Sequence, residues 1–183
     1  AHLQRNIKLA KQRERMKSKV NNSGESNENC ETQDFNEDER SFARIGTAIS
    51  KYWVTKRAPY LVFEALECHG GPGYIEESVM PRLYREAPLN SIWEGSGNVM
   101  CLDVLRALQR DKNALPSLFK ELESARGSNS NFDVSLMHLK NRMDSPKGIE
   151  TEARLLTEKM ACLIQASIFI KGGQEEKISA FCN

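Results

Sequence analysis

From Asp38 onward, apolar and polar positions recur with a helical period. Phe42, Ile45, Ile49, Tyr52, Trp53, Tyr60, Phe63 and Leu66 fall mostly three or four residues apart, the spacing that lines one face of an amphipathic helix. Pro59 lies inside this pattern and predicts a kink, because proline lacks a backbone donor and crowds the preceding turn. The run Gly70-Gly71-Pro72-Gly73 is expected to end the helix and to stay non-helical. A short helical piece over Pro81 to Arg85 and a loop over Pro88 to Gly97 follow. Next comes a helix from about Asn98 to Arg110, with Val99, Leu102, Leu105 and Leu108 on its apolar side.

Three more helices are predicted. Leu115 to Arg126 carries Pro116 in its first turn, where proline costs little. Phe132 to Met143 presents Leu136, Leu139 and Met143 and stops ahead of Pro146. Ile149 to Lys171 presents Leu156, Met160, Leu163, Ile164 and Ile168 and is closed by Gly172-Gly173. Glu175 to Phe181 reads as a partial helix, and no segment has the alternation of a strand. Long helices joined by short loops predict an all-α fold, an antiparallel four-helix bundle.

Composition adds boundaries. With 183 residues, 39% of them apolar, and a formal net charge of +1, one domain with a sizeable core is expected. The charge excludes an obviously basic nucleic-acid binder. The apolar stretch from Met160 to Ile170 is interrupted by Gln165 and is too short for a membrane span. Residues 1 to 20 are basic, with Arg5, Lys8, Lys11, Arg13, Arg15, Lys17 and Lys19 against Glu14, and the next twenty are acidic. Between them lies a polar stretch, Asn21 to Asn27, with little to bury. Residues 1–36 are therefore expected to be a charged, flexible segment ahead of a bundle over 37–183. A start at Ala1 and a stop at Asn183 in mid-pattern suggest a piece of a larger protein.

Five widely spaced cysteines, Cys30, Cys68, Cys101, Cys162 and Cys182, form no paired motif. Cys68, Cys101 and Cys162 sit in apolar helical patterns and read as free, buried thiols of a reducing compartment, such as cytoplasm or mitochondrial matrix. His2, His69 and His138 make no metal-binding spacing, so no metal site is expected.

The chemistry is expected at two glycine-rich interruptions. In Glu67-Cys68-His69-Gly70-Gly71-Pro72-Gly73 the glycines let backbone N–H groups approach a ligand, commonly a phosphate, although Gly-Gly also simply ends helices. In Ser91-Ile92-Trp93-Glu94-Gly95-Ser96-Gly97-Asn98, one reading is a capping box from Ser91 to Glu94. It would place Gly95 and Gly97 in the first helical turns, where glycine is unfavourable. The better reading starts the helix at Ser96 to Asn98 and leaves Glu94 in the loop. There it lies beside free helix N–H groups and Trp93, whose aromatic wall would raise its pKa toward that of a general base.

These residues carry a resemblance. Ala65 to Tyr74, Arg82-Leu83-Tyr84-Arg85-Glu86-Ala87 and Ile92 to Asn98, in that order and spacing, resemble the C-terminal part of the acyl-CoA dehydrogenase family. Lys51 to Pro59 and Asn98 to Arg106 are most similar to its alkylation-response, AidB-type branch. The resemblance implies an FAD-dependent oxidoreductase acting on an acyl-CoA, with subunits associated through the bundle as a dimer or tetramer. It implies Glu94 as the base that removes the α-proton while the β-hydride passes to flavin. It also implies flavin contacts by Ser96 and Asn98, and contacts from Glu67, Gly70 and Gly71 to the FAD of a partner subunit.

Two positions depart from the family: Glu67 stands where glutamine is usual, and Asn98 is shorter than the common glutamine. The family's N-terminal helical and β domains have no counterpart in the chain. A fragment of this kind is expected to be inactive alone and to bind FAD weakly or not at all. The AidB-type resemblance further implies double-stranded DNA as an alternative partner, through bases from Arg106 to Lys177, although acids are interleaved among them. A third reading is a non-catalytic interaction module in which the glycine loops only cap helices.

Overall fold

The computed structural model describes residues 37–93, 95–145 and 147–174. The basic segment, the acidic linker, Glu94, Cys30, Cys182 and the partial helix beyond Gln174 lie outside the described residues. The described residues are helical and contain no strand.

Helix α1, Glu37–Cys68, opens with Glu37, Asp38 and Glu39, acids that suit the positive pole of a helix start. Its inner face carries Ile45, Ile49 and Tyr52, all buried. The helix continues through Pro59 to Cys68.

The glycine run departs from expectation. Gly70, at φ 60°, breaks the path, but Gly71–Tyr74 then forms a four-residue helix, α2, with Pro72 in its first turn. Proline at that place gives up only a donor that would be unpaired anyway. Helix α3, Met80–Glu86, runs into a 3-10 turn, Ala87–Ser91, which replaces the first half of the expected loop.

Helix α4, Gly97–Arg110, begins where the glycine argument placed it, with Ser96 as its N-cap residue. Of the expected inner face, Leu105 is buried and Leu102 and Leu108 pack against the core, but Val99 is not inside. Met100, Cys101, Val104 and Leu105 are buried, whereas Val99 is 42% exposed. Neighbouring helices meet α4 on the Met100 side, and tertiary packing decides which flank of a broad apolar stripe turns inward.

Helices α5, Ala114–Glu123, α6, Ser130–Met143, and α7, Ala153–Lys171, complete the bundle, α7 being preceded by a 3-10 turn, Ile149–Glu152. Asn129 caps α6 by accepting a hydrogen bond from the Phe132 N–H at 3.0 Å. α1 packs on α4, α5 and α7, and α7 also contacts α6. The main core joins Ile45, Ile49, Leu118, Leu122, Phe132 and Met160 with their neighbours. A smaller cluster of Tyr52, Met100, Cys101, Leu105 and Ala153 sits where α1, α4 and α7 meet.

The described cysteines are free: Cys101 is buried and Cys162 half-buried, and burial raises both thiol pKa values. Cys68 corrects the expectation of a buried thiol, because it ends α1 beyond the core and is exposed. Among the described residues no cluster of His, Cys, Asp or Glu could hold a metal. No described helix is long and apolar enough to cross a membrane.

Candidate functional site

The amino end of α4 is built from its sequence outward. The 3-10 turn closes with Ile92 and Trp93 N–H groups donating to the Leu89 carbonyl, at 3.0 and 3.2 Å, and Gly95 N–H donates to Ile92. Gly95 adopts φ 118°, a conformation that L side chains rarely adopt. Any Cβ there would also come within 2.9 Å of Val99 Cγ1. Gly97 is buried against α1: a Cβ on it would lie 3.4 Å from Lys56 Cδ and 3.6 Å from Tyr52 Cε2. Glycine at position 95 lets the chain turn into α4, and at Gly97 a Cβ would make ordinary contact with α1.

Ser96 and Asn98 flank that buried glycine and both face solvent. The Ser96 side chain makes no capping hydrogen bond. The first-turn N–H groups of a helix have no partner within it. Polar donors thus converge at this end, and the chemistry suits a polar or anionic portion of a ligand. Trp93, expected to wall the glutamate, is 61% exposed.

Beneath this end lies a polar tie. The buried Tyr52 hydroxyl donates to Glu158 Oε1 on α7 at 2.5 Å, and Arg154 Nε donates to the same oxygen at 3.4 Å. Burial first, and then the bond to Glu158, hold the Tyr52 phenol far above its usual pKa, so it stays protonated. Residue types along the chain do not single out this pair, because its members are 106 positions apart.

The second set, Glu67, Gly70 and Gly71, lies at the other end of α1 and is exposed. Gly70 and Gly71 have nothing within 4 Å of a would-be Cβ, so their main chain is open to an approaching group. Gly73 is different: its Cβ would lie 2.4 Å from the Leu66 carbonyl oxygen. Beside this turn, Leu66, Tyr74, Ile75, Pro81 and Tyr84 line a shallow cavity of about 410 Å3, rimmed by the Glu76–Arg85 ion pair.

The structure does not bring the two sets together. Ser96 and Asn98 sit beside Lys56, and Glu67 lies eleven residues further along the same helix. At 1.5 Å per residue that is roughly 16 Å. The carboxyl half of α1 and the segments that follow also expose Tyr60, Leu61, Leu83, Leu89 and Ile92.

The bases expected to face DNA are largely paired. Arg106, Lys120, Arg126, Lys140, Arg142, Arg154 and Lys171 each form an ion pair with an acid. These pairs interleave the two signs of charge on this part of the bundle.

Comparison with known proteins agrees with the motifs. Residues 28–109 match the family model for the acyl-CoA dehydrogenase C-terminal domain. The Escherichia coli (strain K12) protein AidB is 38% identical over 144 residues, which are 79% of this chain and 26% of AidB. Acyl-CoA dehydrogenase family member 11 of Caenorhabditis elegans is 36% identical over 107 residues, 58% of this chain and 17% of that protein. The chain therefore spans about a quarter or less of the length of these relatives. Among solved structures, Caenorhabditis elegans ACDH-11 in complex with C11-CoA superposes with a TM-score of 0.66 at 27% identity. That superposition covers 81% of this chain and 28% of ACDH-11. The helical bundle and its ordered glycine motifs thus place the chain in the acyl-CoA dehydrogenase family, as sequence of its C-terminal domain.

Proposed function

We propose that this chain is the helical-bundle part of an FAD-dependent enzyme that removes hydrogen across the α,β bond of an acyl-CoA thioester. The observation that carries the reading is the solvent-facing amino end of α4. It offers Ser96, Asn98 and first-turn N–H groups directly after the Ile92-Trp93-Glu94-Gly95 stretch.

Glu94 is the proposed base for the α-proton. A thioester α-carbon gives up its proton only when the charge gathering on the carbonyl oxygen meets fixed N–H donors. Bound flavin supplies the acceptor for the β-hydride. Ser96 and Asn98 would hold the flavin, through a hydroxyl and an amide that both donate and accept. As the family resemblance implies, Glu67, Gly70 and Gly71, roughly 16 Å further along α1, would hold the FAD of a second copy, so the proposal includes a dimer or tetramer. A carboxylate at position 67 only accepts hydrogen bonds, which suits a ribose hydroxyl or an adenine amino group rather than a phosphate. The exposed apolar residues beyond Pro59 fit a face covered by the remainder of the enzyme.

The test is Glu94→Gln in the flavoprotein that joins this bundle to its remaining domains. FAD content should be unchanged, while reduction of the flavin by acyl-CoA, followed by visible absorbance, should fall roughly 10²- to 10⁴-fold. Retained reduction would overturn the assignment of Glu94 and, with it, the proposed reaction.

A further inference from the structure

We infer that Tyr52 is a positioning residue for the amino end of α4, holding Ser96 and Asn98 in place through its packing on Gly97 and its hydrogen bond to Glu158. The inference rests on the function proposed above, which gives Ser96 and Asn98 their role toward flavin.

The geometry is a three-helix tie. The Tyr52 ring belongs to α1 and is fully buried. It packs with Met100, Cys101 and Leu105 of α4 and with Ala153 of α7. Its edge forms part of the floor beneath Gly97, where any added Cβ would already be in van der Waals contact. A phenylalanine would fill the same volume, so the hydroxyl has a separate task. By donating to Glu158 at 2.5 Å it fixes the tilt and depth of the ring relative to α7. Arg154 in turn holds Glu158, with its guanidinium carbon 6.0 Å from the Tyr52 ring centroid. A side chain held at both ends in this way is locked in one rotamer, which is what a precisely aimed neighbouring group requires. Gly97 rests on that ring, so any shift of the ring is transmitted to Ser96 and Asn98 on either side.

In this role Tyr52 acts through the main chain of α4.

Amide hydrogen exchange on the chain tests the inference with Tyr52→Phe, Glu158→Leu and Glu158→Gln. The Met100 N–H, which donates to the Ser96 carbonyl at 2.9 Å, reports the first turn of α4. Tyr52→Phe and Glu158→Leu should speed its exchange roughly tenfold or more while amides of α5 and α6 keep their protection. Glu158→Gln retains an acceptor for the phenol and should stay within about twofold of the parent. Unchanged exchange at Met100, or a uniform acceleration through the bundle, would overturn the inference. Glu158→Leu decides the matter if Tyr52→Phe does not fold. In the complete flavoprotein, Tyr52→Phe should weaken FAD binding about fivefold and alter the visible flavin band, with Glu158→Gln restored to parent behaviour. FAD affinity and spectrum untouched by Tyr52→Phe would also count against it. Failure of the proposed reaction shows separately, as flavin reduction retained by Glu94→Gln, and leaves the exchange result standing.

Discussion

Alanine at Gly71 and alanine at Gly73 are two residues apart and should behave very differently. At Gly73 the new Cβ would meet the Leu66 carbonyl oxygen at 2.4 Å and the His69 Cβ at 2.8 Å. Ordinary contact begins near 3.4 Å, so the last turn of α1 or the short α2 must move by about 1 Å. One obstacle is main chain of the last turn of α1 and the other a Cβ just beyond its end, so no flexible side chain can yield. Overpacking costs about 1–3 kcal/mol, and this case belongs at the upper end, about 3 kcal/mol. For a chain of this size that corresponds to a melting temperature lower by ~6–12 °C. At Gly71 nothing lies within 4 Å and the backbone is not left-handed, so the change should stay within about 0.5 kcal/mol. Gly70→Ala is intermediate: the space is open, but φ 60° with ψ −144° costs about 1–3 kcal/mol for a residue with a Cβ. Thermal melts followed by far-ultraviolet circular dichroism would rank the three variants. A Gly73→Ala protein melting within about 2 °C of the parent, or a Gly71→Ala protein falling as far as Gly73→Ala, would refute the steric reasoning. The expected neutrality makes Gly71→Ala the clean probe of FAD contact, since any loss of affinity would not reflect a disturbed fold.

Asn129→Ala removes the side-chain acceptor for the Phe132 N–H and should lower stability by about 1 kcal/mol in urea titrations; no change would mean that water replaces the cap. Glu123 accepts a hydrogen bond from Lys140, which, with the nearby Arg126, holds its carboxyl below the usual range. The stabilisation this brings is present above the unfolded carboxylate pKa and is lost as pH falls through the lower folded value. Urea midpoints measured from pH 6 down to about pH 3 should therefore fall less steeply for Glu123→Gln than for the parent, and parallel curves would count against the pair.

Much of the bundle was legible because its core residues keep a strict helical period. Ile45, Ile49 and Tyr52 are buried as the pattern required, and so are Leu136, Leu139, Leu156 and Met160. The start of α4 was legible for a different reason, the poor fit of Gly95 and Gly97 to a helical first turn, and the helix indeed begins at Gly97 behind Ser96. Local signals failed where packing decides. Val99 and Met100 are equally apolar neighbours, and only the approach of α1 and α7 puts Met100 inside and Val99 out. Cys68 looked like a core thiol because the apolar pattern of α1 continues past the part that has helices against it. The Gly71–Tyr74 helix escaped a rule that treats glycine and proline as breakers, since Pro72 falls in the first turn, where a helix tolerates proline. The separation of the two proposed sets of site residues was not readable, because it depends on where the end of α4 lands along α1.

That landing point has a further consequence. Because one uninterrupted helix carries Tyr52 and Lys56 near its middle and Glu67 at its end, α1 acts as a ruler between the two predicted cofactor contacts. A ruler of this kind has a gauge that substitutions scarcely alter but that insertions and deletions destroy. Removing one residue between Lys56 and Glu67 would shorten the span by about 1.5 Å and swing everything beyond it by about 100° around the helix axis. The segment should therefore accept changes of side chain freely, Pro59 included, while holding its length fixed.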